Sequence, residues 1–239
     1  MGIDGRLVEV ADLAPAERER MLELMRGHYE NVERPTFERD LAEKDWVILL
    51  SDPATGYLCG FSTQVLLDET LGQREVRVLF SGDTIVAREY WGDNALARVW
   101  GRLALRLADA SAAADLYWFL ICKGYKTYRF LPVFFHEFHP RVDAVTPVWA
   151  TELIDALGRR RYPERFDAER GVVRASAGTD RLRPGLADVT EERLRDPHVR
   201  FFAERNPGHA RGDELCCIAP LSRSNFRPSA YRVIGLGER

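Results

Sequence analysis

The sequence predicts an α/β fold in which helices flank a sheet, and three stretches carry that prediction. Val76 to Val86 is a long β-branched run of strand type, and Leu116 to Cys122 is near-continuously apolar, the mark of a strand covered on both faces. Between them, Ala95 to Ala110 puts Leu96, Val99, Trp100, Leu103 and Leu107 on one helical face.

The remaining elements follow in order. Leu7 to Val10 reads as a short strand, and Pro15 suits the first turn of a helix with an apolar stripe of Met21, Leu22, Met25, Tyr29 and Val32. Thr36 is placed to cap a second helix carrying Phe37 and Leu41. Trp46 to Leu50 and Tyr57 to Leu67 form an antiparallel hairpin around the turn Asp52-Pro53-Ala54-Thr55-Gly56. Gly82 inside the long strand marks a bulge or a close backbone approach, and Asp93 or Asn94 caps the helix that follows. A short helix from about Lys126 should stop or kink near Pro132, which lacks an amide hydrogen. Further on, Thr151 to Arg161 reads as helix, Arg165 to Ala175 as a hairpin around Gly171, and Leu215 to Leu221 as a late strand after Asn206-Pro207-Gly208.

The chain has 239 residues and is 46% hydrophobic, enough to bury a core. Thirty-four basic and 37 acidic residues leave a formal charge of -3, so no global field invites nucleic acid or an anionic membrane, and any basic site must be local. Cys59, Cys122, Cys216 and Cys217 lack metal-ligand spacing, and adjacent cysteines do not readily bridge, which points to free thiols in a reducing cytoplasm and to no metal site. No apolar run reaches the roughly 18 residues of a membrane span, and Met1 to Arg6 does not read as a signal peptide.

Arg88-Glu89-Tyr90-Trp91-Gly92-Asp93-Asn94 lies between the long strand and the best helix, where outward amides at a helix N-terminus suit a pyrophosphate. With the series strand, helix, helix, three strands, helix, strand, helix, this turn resembles the GNAT superfamily of acyl-coenzyme A N-acyltransferases. In that family the turn reads Arg or Gln, two variable residues, Gly, one variable residue, then Gly or Ala. Here Arg88 stands for the leading residue, Gly92 falls one place late, and Asn94 or Ala95 takes the second small position. Asp93 is a departure that fits only if its carboxylate turns away to cap the helix.

The resemblance covers about Leu7 to Pro140. It implies a central mixed, mostly antiparallel sheet flanked by helices, with residues 1–145 as the acyltransferase core and 146–239 as a C-terminal extension packed on it. It further implies acyl-CoA or an acyl-carrier protein as co-substrate, no tightly bound cofactor, and Arg88, Trp91, Gly92, Asp93, Asn94 and Ala95 as the donor turn. The acceptor is then an amine of a small molecule or a lipid precursor. The alternative is a non-catalytic module of this fold that binds an acyl ligand or a protein partner.

Transfer to an amine needs a base for the ammonium and an acid for the departing thiolate. Asp83, beside Ser81 and Gly82, is the carboxylate of the long strand nearest the expected cleft and the first candidate base. Tyr125 and Tyr128 lie where the resemblance implies the acid. His136-Glu137-Phe138-His139 is a second cluster; on a strand, Glu137 and His139 share one face and His136 the other, and the pair is able to deprotonate an ammonium near neutral pH. Cys122 beside Lys123 is a candidate nucleophile, with an inert buried thiol as its bland reading. Arg159-Arg160-Arg161 complements a helix C-terminus and is also a landing site for an acidic carrier protein or a CoA phosphate. The dense aromatics, Trp91, Trp100, Tyr117, Trp118, Phe130, Phe134 and Phe135 among them, suit core packing and also a medium or long acyl chain.

Overall fold

A computed structural model describes residues 2–111, 115–186 and 188–236. β1 (Asp4–Glu9) leads into α1 (Pro15–His28), β2 (Tyr29–Glu30) and α2 (Arg34–Ala42). β3 (Trp46–Ser51), β4 (Leu58–Leu71) and β5 (Arg74–Val86) follow, then α3 (Ala95–Ala110) and β6 (Asp115–Cys122). Next come α4 (Tyr125–Tyr128), α5 (Phe130–Phe134), α6 (Val148–Arg161), β7 (Phe166–Asp167) and β8 (Val172–Val173). The chain ends with β9 (Arg181–Leu182), α7 (Pro197–Arg205), β10 (Glu214–Pro220) and α8 (Pro228–Ile234). Among the described residues no helix is long and apolar enough to cross a membrane.

Eight strands form one sheet in the order β1-β3-β4-β5-β6-β10-β8-β7, while β2 pairs with β9 in a separate small sheet. Every pairing in the large sheet is antiparallel except that of β5 with β6. A parallel pair needs a crossover, and α3 supplies it. The mixed, mostly antiparallel sheet flanked by helices is the fold class predicted from the sequence.

Alternation along the strands divides the core. Leu79, Trp118, Leu120, Leu215 and Cys217 share one apolar cluster with residues of α3, α5 and α8. Val78, Phe80, Phe119, Cys216 and Ile218 share another with Leu153, Ile154 and Leu157 of α6. Each fully buried Leu or Phe contributes about 1.5–3 kcal/mol, so β6 and β10, lined on both faces, are anchored in the middle of the sheet.

The junction of β5 with its neighbours positions a cleft. Ser62 pairs with Thr84 and Gln64 with Ser81, so Gly82 and Asp83 stand together opposite Thr63 alone. This is a bulge in β5, at the glycine where the sequence predicts one. Pairing of β5 with β6 ends at Ser81 opposite Leu120. Beyond that point β5 continues against β4 to Val86, β6 runs on to Cys122, and a cleft opens between them.

Some expectations change. Thr36 lies inside α2, whose N-cap is Glu33, three residues earlier, because Pro35 suits the first turn. The helical stripe of α1 stops at His28, and Tyr29 leaves it to pair with Leu182. The break expected at Pro132 falls at Arg129, between α4 and α5; Pro132 sits in the first turn of α5, where no helical amide bond is lost. His136 to His139 do not form a strand. The Asn225 side chain bonds both the Glu137 amide (2.7 Å) and the Glu137 carbonyl (2.8 Å), taking the place of a ladder.

Candidate active site

The cleft has a volume of about 890 Å³, within the usual range for small-molecule sites. Its walls come from Gly82–Val86 at the end of β5, from Ile121 and Lys123–Lys126 at and beyond the end of β6, from the turn before α3, and from residues of α2, α6 and the C-terminal third. The sheet divides its lining in two. Side chains of the α6 face reach one side, and α3, α4 and α5 border the other.

On the α6 side lies a cluster of charges. Lys123 Nζ is 2.5 Å from Asp180 Oδ2 and 3.8 Å from Glu214 Oε1, and it stands 5.1 Å from the centre of the Tyr29 ring. Strand alternation places Glu214 on the same face as Cys216 and Ile218, and Asp83 follows Phe80 across the bulge on the same side. Burial pushes the Asp83 carboxyl up to about 6; Lys123 and Lys44 pull it down, and Asp180 and Asp40 raise it. Burial likewise lifts Glu214 to about 7, with Lys123 opposing and Asp180 and Asp83 assisting. Burial alone depresses Lys123, yet Glu214, Asp180 and Tyr29 outweigh it and hold the ammonium protonated. The cluster therefore combines one fixed cation with carboxyls that exchange protons near neutrality.

Below the bulge the backbone is held by a buried chain of hydrogen bonds. Trp118 Nε1 donates to Ser81 Oγ (2.9 Å), Ser81 Oγ donates to Gln64 Oε1 (2.5 Å), and Gln64 Nε2 donates to Ser62 Oγ (2.8 Å). Ser62 Oγ meets Thr84 Oγ1 at 2.7 Å. A satisfied network of this kind fixes the strands on either side of Gly82 and Asp83. A β-carbon on Gly82 would lie 2.7 Å from Thr63 Oγ1 and 3.0 Å from Lys44 Cε, so the bulge has room only for glycine.

On the α3 side, Arg88 to Tyr90 form a single 3-10 turn, and Gly92 adopts φ +98°, which L side chains rarely take. Asp93 turns toward the helix: its Oδ1 accepts from the Ala95 amide (2.6 Å) and its Oδ2 from the Ile3 amide (3.2 Å). The amides of Trp91 and Asp93 bond Arg88 and Tyr90 carbonyls. The donor turn expected over Trp91 to Ala95 is thus partly self-satisfied. The amides of Leu96 and Ala97, in the first turn of α3, are left without intrahelical partners at the cleft wall. The Trp91 indole donates to the Val86 carbonyl (2.8 Å) and serves as a platform, with Lys126 Nζ 3.3 Å and Arg88 Cζ 5.5 Å from its ring centre. Burial lowers the Lys126 pKa, and Arg193 and Arg88 lower it further, so three cations gather here.

Tyr125 opens α4 with its side chain buried, and it lines the cleft. Tyr128 is fully buried among Phe138, Phe201 and Phe202, and its hydroxyl donates to the Pro140 carbonyl (3.0 Å), away from the cleft lining. His136, Glu137 and His139 also lie outside it. His139 Nε2 is 3.5 Å from Glu137 Oε1, but the His139 backbone bonds Ile218, four residues along β10 from Glu214, or about 13 Å at ~3.3 Å per residue. Burial lowers the His139 pKa, against Glu137. Cys122 is buried in the α3-side core with Cys217, facing away from Lys123. Of the arginine run, Arg160 pairs with Glu69 (2.8 Å), while Arg161 turns into the cleft.

Glu214, Asp180, Tyr29 and Lys44 were not singled out from sequence. Glu214 did leave a trace, as a carboxylate at an inward position of an otherwise apolar alternating strand.

No protein-family model matches the chain, and no curated protein matches it. Among solved structures it is similar to a probable N-acyltransferase of Enterococcus faecalis V583, with TM-score 0.41 and 15% identity over 53% of this chain and 31% of that one. The match therefore spans about a third of the Enterococcus chain. It is also similar to a GNAT-family N-acetyltransferase of Escherichia coli in complex with CoA, with TM-score 0.40 and 11% identity over 54% of this chain and 69% of that one. A third is glucosamine-6-phosphate N-acetyltransferase of Arabidopsis thaliana, with TM-score 0.38 and 14% identity over 54% of this chain and 90% of that one. Each of these likenesses covers about half of this chain, at 15% identity or less.

Proposed function

We propose that this protein is an N-acyltransferase that moves an acyl group from coenzyme A to an amine in the cleft between β5 and β6. The observation that carries the reading is the two-sided opening beyond Ser81 and Leu120. The unpaired bulge Gly82-Asp83 stands at its apex, with cations and helix amides on one side and proton-exchanging carboxyls on the other. A pantetheine arm, which carries its own amides, fits between strands that no longer pair with each other. Arg88, Lys126 and Arg193 around Trp91 suit the CoA phosphates, a feature a carrier-protein arm would leave largely unused.

In the reaction Asp83, as carboxylate, takes a proton from the acceptor ammonium. The neutral amine attacks the thioester carbonyl, a C–N bond forms, the C–S bond breaks, and the Tyr125 hydroxyl gives its proton to the departing thiolate. The nitrogen loses its second proton as the amide forms, which restores the Tyr125 hydroxyl, and the proton on Asp83 leaves to water. The products are the amide, free CoA thiol and one proton. The four cysteines are free and buried, which suits a direct transfer without an acyl-cysteine and work in a reducing cytoplasm.

The aromatics resolve into two groups. Phe135 is core, while Trp100, Trp118, Phe130, Phe134 and Phe226 line an apolar slot of about 70 Å³ that shares Gly82, Thr84 and Ile121 with the cleft. That is less than half the roughly 150 Å³ that takes a benzene ring, so the slot suits an acyl group of a few carbons. With acetyl-CoA and a mixture of primary amines, free thiol and a mass-identified amide are expected. In competition, acetyl- and butanoyl-CoA should bind best. No thiol release with any amine contradicts the enzyme reading, and binding that strengthens by about 0.8 kcal/mol per added methylene up to palmitoyl contradicts the short slot.

A further inference from the structure

The α6 side of the cleft holds a second pole that acyl transfer to a plain amine does not use. Lys44, between α2 and β3, lies with its Nζ 3.9 Å from the β-position of Gly82 and 5.9 Å from the centre of the Phe80 ring. Arg161, at the end of α6, approaches the same ring with its Cζ 4.4 Å from the centre. Its side chain is 17% exposed, its Nη2 meets Glu43 at 3.3 Å, and its Nε is buried without a hydrogen-bond partner among the described residues. Lys44 Nζ donates to the Asp40 carbonyl (2.6 Å). Burial lowers the Lys44 pKa, with Arg161 adding to that and Asp83 opposing. Two cations are thus held over one ring at the cleft wall despite mutual repulsion, and among the described residues Lys44 Nζ and Arg161 each make one hydrogen bond, fewer than their donors. Beside them stands the opposite pole of Asp83, Glu214 and Asp180.

We infer that the acceptor is a zwitterion, an amine bearing a carboxylate or phosphate a few bonds away, whose ammonium faces Asp83 and Glu214 while its anionic group is held by Lys44 and Arg161. This rests on the acyl-transfer reading and narrows its acceptor. The closeness of Lys44 to Gly82, the neighbour of Asp83, sets the short separation. The guanidinium fork of Arg161 suits a planar carboxylate or a phosphate equally.

The test uses acetyl-CoA with α-amino acids, the matching amino-acid amides, aminoalkyl phosphates and the parent alkylamines, with thiol release as the readout. Amines carrying an anion should be favoured in kcat/KM over their neutral counterparts by on the order of 10- to 100-fold; the carboxylate and phosphate arms identify the anion. In Lys44→Met and Arg161→Gln the KM for the favoured acceptors should rise by a similar factor, and the gap between each acid and its amide should close to within about 3-fold. Arg161→Lys should restore part of it. If amides and alkylamines react as well as the acids, or if the variants slow all amines alike, the second pole merely tunes Asp83 and the inference is overturned. If CoA binds but no amine of any arm is acylated, the acyl-transfer reading falls first.

Discussion

Asp83→Asn is expected to lower turnover by about 10²-fold or more, the usual contribution of a positioned general base, while the protein folds normally. The pH dependence should change with it. The Asp83 carboxyl is pushed up to about 6, chiefly by burial, so wild-type kcat/KM should rise through pH 6 and flatten above it. The acceptor's own ionisation is common to both proteins, so the ratio of wild-type to variant profiles isolates this limb. The groups facing Asp83 are Lys123, Asp180, Lys44, Asp40 and Glu214.

The linkage runs opposite to that of a salt-bridged aspartate. Because the folded pKa lies above the unfolded value of about 3.9, the unfolded chain releases its proton first, and stability falls as pH rises from about 4 to about 6. Above pH 6 Asp83→Asn removes a half-buried carboxylate and one of the charges that raise Glu214, so its melting temperature at pH 8 should equal or exceed that of the wild type. A variant that is inactive and less stable at pH 8 would mean that Asp83 is a structural anchor.

Tyr125→Phe should have the second largest effect, again about 10²-fold on turnover if the hydroxyl protonates the leaving thiolate. The loss should shrink with a thioester whose thiol is more acidic, since that leaving group needs less help. Tyr128→Phe is the contrast. It removes the bond to the Pro140 carbonyl in a closed aromatic nest and should cost about 1–3 kcal/mol of stability, measured by denaturant unfolding, with turnover per folded molecule unchanged. Equal turnover losses in both would contradict the separation of their roles.

Long periodic segments were legible from sequence because their pattern is local. The helical face of Ala95–Ala110 and the doubly covered strand ending at Cys122 needed no knowledge of the rest of the chain. The bulge at Gly82 was legible for a related reason: a glycine interrupting a β-branched run is a local mark of a broken ladder. The charge cluster was not, because Tyr29, Asp83, Lys123, Asp180 and Glu214 come from five separated points of the chain and meet only through sheet order. The His136–His139 segment misled for the converse reason. Chemically suggestive residues lay close in sequence, but Asn225, 88 residues from Glu137, holds that backbone and keeps it off the cleft. Tyr125 and Tyr128 share a short helix, and only tertiary packing leaves the first bordering the cleft and the second away from it.

The donor is proposed to lie where β5 and β6 part, and a crystal structure with CoA tests this most directly. The pantetheine arm is expected between Gly82–Thr84 and Ile121–Gly124, the thiol beside the Gly82-Asp83 bulge, and the pyrophosphate against the first turn of α3 with Arg88, Lys126 or Arg193 in contact. CoA bound on the α6 side beside Lys44 and Arg161, or outside the cleft altogether, would contradict it.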